Sequence, residues 1–100
     1  MSMRIRAKEQ NGLVTVQSLI RHPMETGLRK DKDGNTIPEH WIQEVVVESA
    51  GKQVFAAALN TSVSKDPFLS FAFAGKKGDT LKMSWKDSAG ETDSTEVTVS

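Results

Sequence analysis

The sequence predicts an all-β domain, an immunoglobulin-like β-sandwich of about seven strands, with a closed barrel as the alternative architecture. Three observations lead there. Apolar residues alternate with a period of two rather than 3.6. Clusters of Gly, Pro, Asn and Asp break the pattern about every ten residues. The chain has 100 residues, 37% hydrophobic and 26% charged, which suits one modest core and a single domain over residues 1–100. No internal repeat, linker or heptad pattern divides it.

The first strand is read from MRIRAK, where Arg4, Arg6 and Lys8 alternate with Ile5 and Ala7. EQNG turns the chain into LVTVQSLI, in which Val14 and Val16 face away from Thr15 and Gln17. HWIQEVVVES, rich in β-branched residues, is the third strand, and AGK turns it into QVFAAALN. The three alanines of that segment favour helix, yet its length and its flanking strands favour a fourth strand. FLSFAF, TLKMSWK and TDSTEVTVS complete the set, separated by AGKKGD and DSAGE.

Burial is clearest in the sixth strand, with Leu81, Met83 and Trp85 on the core side and Lys82, Ser84 and Lys86 on the wet side. The fourth and fifth strands are apolar on both faces. Phe55, Ala57 and Leu59 alternate with Val54, Ala56 and Ala58, and Leu69, Phe71 and Phe73 with Phe68, Ser70 and Ala72. Only one face of each can meet the core. The other is either a partner-binding patch, with Phe55 and Phe68 as aromatic anchors, or a face covered by loops or made of small alanines that expose little area.

Thirteen Lys and Arg against thirteen Asp and Glu give a formal net charge of zero, so neither nucleic acid nor an anionic membrane is expected as a partner of the whole molecule. Cysteine is absent, which excludes disulfides, thiolate metal ligands and a thiol nucleophile. No apolar run has the length of a signal peptide core or a membrane span, and on residues alone the expectation is a cytoplasmic protein.

Arg21 to His40 is an insert of about twenty residues where four to six would serve as a connection, and loops of that length are functional or disordered. Asp31, Asp33 and Asn35 stand at the first, third and fifth positions of a calcium loop, but Thr36 replaces the glycine at the sixth and Ile42 the glutamate at the twelfth. An Asp33-Gly34 turn is the expected reading instead. His22 and His40 bracket the insert, and with Glu25 or Glu39 they are a candidate metal or acid–base pair; surface or hydrogen-bonded histidines are the expected outcome, with no metal site assigned. Arg21, Arg29, Lys30 and Lys32 are either a local anion site or a solvated charge run.

LIRHPMETGLRKDKDGNTIP, GKQVFAAAL, DPFLSFAF and KGDTLKMSWKDSAG together resemble the SoxZ family, nearly end to end, with HPMETGLRKDKDG and its following IP as the specific part. The resemblance implies a non-catalytic subunit without a cofactor. It pairs as a heterodimer or heterotetramer with SoxY, whose C-terminal cysteine arm carries sulfur intermediates in thiosulfate oxidation. It also implies transient contact with other Sox enzymes, a possible homodimer in isolation, and a periplasmic location reached by co-export with SoxY. On that reading the insert protrudes, and His22, Met24, Glu25, Thr26, Arg29 and Lys30 shape a recognition surface, with Arg29 and Lys30 also favouring the anionic end of the swinging arm. Two rivals remain: a self-associating structural sandwich, and a small metal or anion enzyme built on His22 and His40.

Overall fold

The computed structural model describes residues 3–60 and 62–100, and there it is all strand and loop. The seven strands are β1 (Met3–Gln10), β2 (Leu13–Ile20), β3 (Ile42–Ser49), β4 (Lys52–Ala58), β5 (Phe68–Ala74), β6 (Thr80–Asp87) and β7 (Thr92–Thr98). They form a three-stranded sheet, β1-β2-β5, and a four-stranded sheet, β4-β3-β6-β7, every neighbouring pair antiparallel. No helix is long and apolar enough to cross a membrane among the described residues.

Each strand arises where its pattern predicts, and the hairpins follow from turn chemistry. Asn11 and Gly12 both take positive φ, 55° and 82°, so the two-residue turn between β1 and β2 twists in the sense the strands require. Between the sheets lie Val14, Val16 and Ile20 of β2, Ile42, Val45 and Val47 of β3, and Leu81, Met83 and Trp85 of β6, all buried. The QVFAAALN segment is a strand, as its neighbours required, because β3 pairs with it from Glu44↔Ala58 to Ser49↔Lys52.

That pairing slips at Val47/Glu48, where Phe55 and Gln53 are the successive partners and Val54 is the extra residue. The bulge breaks the alternation, so Val54 and Phe55 are both half-buried. In β5 the alternation is clean: Leu69, Phe71 and Phe73 turn inward while Phe68, Ser70, Ala72 and Ala74 are exposed. The second apolar face is therefore mostly alanine and serine, and Phe68, 61% exposed, is its one large side chain.

The two long sides of the sandwich differ. At one, β1 lies along β7 and the chain end seals the seam, with Glu9 N–H donating to Ser100 C=O at 2.9 Å and Ser100 N–H to Ala7 C=O at 3.1 Å. At the other, β4 and β5 end their sheets side by side, held by Phe55 stacked on Phe71 with centroids 4.1 Å apart and planes 7° from parallel. Val54, Leu59, Val63, Leu69 and Phe73 are only partly buried along this open side.

The insert between β2 and β3 is an irregular hairpin. Glu25 and His40 exchange both backbone hydrogen bonds (2.7 and 2.9 Å), Ile37 N–H reaches Arg29 C=O (2.8 Å), and Asp31 N–H reaches Asn35 C=O (2.8 Å). Gly34, with φ 84°, turns the tip. The molecule measures 53 × 21 × 20 Å, against roughly 26 Å for an eight-residue strand, so the insert extends it along one axis.

Candidate functional site at the base of the insert

Both histidines converge on a carboxylate the sequence reading did not single out. Asp87 closes β6 on the same side as Leu81, Met83 and Trp85, so the strand's alternation drives it inward to 1% exposure. A lone carboxylate there must be fully hydrogen-bonded. His22 and His40 both direct Nε2 at its Oδ2, at 2.9 and 2.7 Å, while Oδ1 accepts the N–H groups of Ala89 at 3.0 Å and Glu91 at 2.8 Å. The imidazoles meet edge to face, 4.6 Å apart, and His22 lies edge to face with Trp85 at 5.2 Å.

The backbone places each group. His22 follows β2 after one residue, and its N–H donates to Asp66 Oδ1 (3.0 Å) while Asp66 N–H returns to His22 C=O (2.9 Å), tying the insert to the β4–β5 connection. Met24 adopts a left-handed φ of 50°, uncommon for its type, and is held there from two directions. Its N–H donates to His22 Nδ1 at 3.1 Å, and its sulfur accepts Ile42 N–H at 3.3 Å.

This geometry fixes the chemistry. Because His22 Nδ1 receives an amide proton, neutral His22 carries its own proton on Nε2, aimed at Asp87. A metal-bound imidazole has the opposite arrangement, with a lone pair toward the ion and the other N–H donated outward. His22, His40 and Asp87 have ligating atoms within 4.8 Å of one another, but His22 cannot turn a lone pair to an ion without breaking the Met24 contact. Nor does either ring hydrogen-bond a hydroxyl nucleophile among the described residues. As arranged, the cluster clasps the base of the insert to the end of β6.

Burial pushes the Asp87 carboxyl up, but hydrogen bonds from His22, the Glu91 amide and His40 outweigh it and hold the group below its ordinary value of 3.8. The unfolded chain therefore takes up this proton at higher pH than the folded one. The clasp's contribution to stability is complete above the ordinary carboxyl range and is lost as pH falls through the depressed folded value. Thermal midpoints across an acid series should fall below about pH 4, and Asp87→Asn should flatten that part of the slope. An unchanged slope in the variant would assign the acid sensitivity to other carboxylates.

The expected recognition residues divide into two groups. His22 and Met24, expected at the surface, are buried at 4% and 5%, because the clasp and the Ile42 contact hold them under the insert. Glu25 and Thr26 are half-buried, and Arg29 and Lys30 are exposed. Arg29 grips Glu25 through Nε (3.0 and 3.2 Å) and Nη2 (2.6 Å). That hydrogen-bonded pairing lowers the Glu25 carboxyl and raises the Arg29 guanidinium relative to their ordinary values, so Arg29 is not a free anion anchor. Asp31 spends Oδ1 on the N–H groups of Asp33 and Asn35, which closes the turn. Pro23 to Thr26 and Arg29 face Ser62 to Lys65 across a cleft of about 600 Å³, and Lys65 is a cation there that sequence reading missed.

Two sheets with a Greek-key-like strand order define an immunoglobulin-like β-sandwich, and solved superoxide reductases share that overall fold. One solved superoxide reductase, in its oxidised state, matches 99% of this chain and 87% of its own with a TM-score of 0.69 and 20% identity. The reduced superoxide reductase (neelaredoxin) from Archaeoglobus fulgidus matches 98% and 86%, with a TM-score of 0.63 and 21% identity. At such identities the likeness is one of fold. No protein of curated function matches the chain. The family model for the sulphur oxidation protein SoxZ matches residues 3–98, and the chain belongs to the SoxZ family. Its role accordingly lies in sulfur oxidation.

Proposed function

We propose that this chain is the non-catalytic subunit of the periplasmic SoxYZ carrier. It pairs with SoxY, whose cysteine arm carries covalent sulfur intermediates during thiosulfate oxidation, and it reaches the periplasm by co-export with SoxY. The observation that carries this reading is the state of the histidines. In a chain without cysteine they are the best candidates for chemistry, and both commit Nε2 to one buried carboxylate. What the chain offers outward is surface: a protruding insert with Glu25, Thr26, Arg29 and Lys30, and the open β4/β5 side with Phe55 and Phe68.

The open side suits SoxY for a physical reason. An uncharged apolar edge strand is a template for another chain, and β5 (FLSFAFA) has no Lys, Pro or acidic residue to blunt it. The insert is then free to meet the other Sox enzymes. Native mass spectrometry of this chain mixed with a SoxY-type subunit should show a one-to-one or two-to-two heteromer replacing the separate species. Persistence of separate chains, or of a homodimer of this chain alone, would favour a self-associating structural sandwich.

A further inference from the structure

The exposed face of the β1-β2-β5 sheet differs in charge pattern from that of the opposite sheet. The strand register sets four rows across it: Arg4–Leu19–Phe68, Arg6–Gln17–Ser70, Lys8–Thr15–Ala72 and Gln10–Leu13–Ala74. Three cations thus stand in a column on β1, polar side chains fill the middle, and small or apolar ones line β5. None of the three cations is in an ion pair among the described residues, and no carboxylate occupies any of the four rows.

The opposite sheet shows that this is not the general character of the protein. There the outward rows place Glu44 beside Lys86, and Lys82 between Glu48 and Glu96, so charges compensate across neighbouring strands. In a chain of zero net charge, an uncompensated cationic column leaves the excess of carboxylates elsewhere. The β1 face is also concave. A depression of about 570 Å³ is lined by Arg4, Arg6, Gln17, Leu19 and Phe68 and reaches round the edge of β1 to Thr95–Val97 of β7, with Glu96 the one carboxylate on its wall. A second, of about 170 Å³, continues from it between Arg6, Lys8, Thr15 and Gln17.

We propose that this face is a docking surface for an acidic, extended segment of a protein partner. Alternate residues of a strand lie roughly 6.6–6.8 Å apart, so Arg4, Arg6 and Lys8 match carboxylates at alternate positions of a second extended chain lying along them. An apolar side chain of the same segment fits beside Leu19, next to Arg4. A protein fits better than the other polyanions. Nucleic acid binding draws on many phosphate contacts and a basic molecule, whereas here the charge is three residues wide on a neutral chain. Membrane attachment requires a larger basic cluster or a lipid anchor. Phe68 borders both this face and the β5 edge, but the cationic column stands on β1, at the other edge of the sheet, and does not depend on what pairs with β5.

The test uses the full chain and a fluorescein-labelled decapeptide that alternates glutamate with threonine and carries one leucine. Fluorescence anisotropy should show binding that weakens with salt, since the contacts are exposed charges. Arg4→Glu/Arg6→Glu/Lys8→Glu should weaken it at least tenfold, and Lys8→Arg should keep it within about twofold. The glutamine triple variant gives the same reading should the reversed one fail to fold. Amide shifts in the wild-type chain should map to Arg4, Arg6, Lys8, Gln17 and Leu19. Unchanged affinity in the triple variants, shifts centred on Lys82 and Lys86, or equal affinity for an oligothymidylate of matched charge would each overturn the proposal.

Discussion

Replacing Asp87 with alanine is expected to destabilise the isolated chain by about 3–5 kcal/mol, the range for removing one partner from a buried, hydrogen-bonded charge cluster. For a domain of this size that corresponds to a fall in the thermal midpoint on the order of 15 °C or more. The carboxylate accepts from two imidazoles and two backbone amides, so its loss strands four donors, two of them shaping the β6–β7 turn. Asp87→Asn should cost less, because an amide oxygen at the Oδ1 position still serves Ala89 and Glu91. Its NH2 group, however, faces two imidazoles. His40 can change tautomer to accept from it, whereas His22 cannot while Met24 N–H occupies Nδ1. A double-mutant cycle of Asp87→Asn with His22→Ala should therefore give strong coupling, and one with His40→Ala weaker coupling. Denaturant midpoints measure both. A variant Asp87→Ala within 1 kcal/mol of wild type would show that the clasp is incidental to stability.

Changing Phe68 to Asp should weaken association with a SoxY-type subunit by about 30- to 1000-fold, which is the 2–4 kcal/mol that a central aromatic anchor carries. The isolated chain should hold its stability within about 0.5 kcal/mol, since Phe68 is already 61% exposed and its backbone pairing with Leu19 persists. Phe55→Asp is the contrasting variant. It removes the stack on Phe71 at the open side and puts a charge into a half-buried position, so it should lower stability as well as association. Titration calorimetry beside thermal melts separates the two effects. Full affinity in Phe68→Asp would move the interface off the β4/β5 side.

The fold was readable because a strand's alternation is local: Leu81, Met83 and Trp85 declare a buried face within one heptapeptide, and Asn11-Gly12 declares its turn. The clasp was not readable in full, because its members lie 18, 47 and 65 positions apart in the chain: the pairing of β3 with β6 brings His40 to Asp87, and the packing of the two sheets brings His22 from the end of β2. One local signal pointed to it: Asp87 continues the Leu81-Met83-Trp85 series, and a carboxylate on a core face needs partners. The bulge at Val54 was hidden for a different reason, since nothing in QVFAAALN marks the residue that the register skips. Glu25 and Arg29 were both named, but their pairing across four residues of irregular chain follows no strand or helix period that a sequence pattern could mark.

The clasp also gives the insert mechanical properties. Its root is pinned to the sheet at His22 and His40, and again to the β4–β5 connection through Asp66, whereas its tip is held by a few hydrogen bonds of its own. In an arm anchored only at its root, displacement is greatest at the free end and the load is taken up at the fixed end. A partner pressing on residues 29–37 would thus transfer force through the imidazole pair to the end of β6 and, through Asp66, to the start of β5, the strand bearing Phe68. The insert and the start of β5 thus share one anchored root, with the Asp87 carboxylate at its centre.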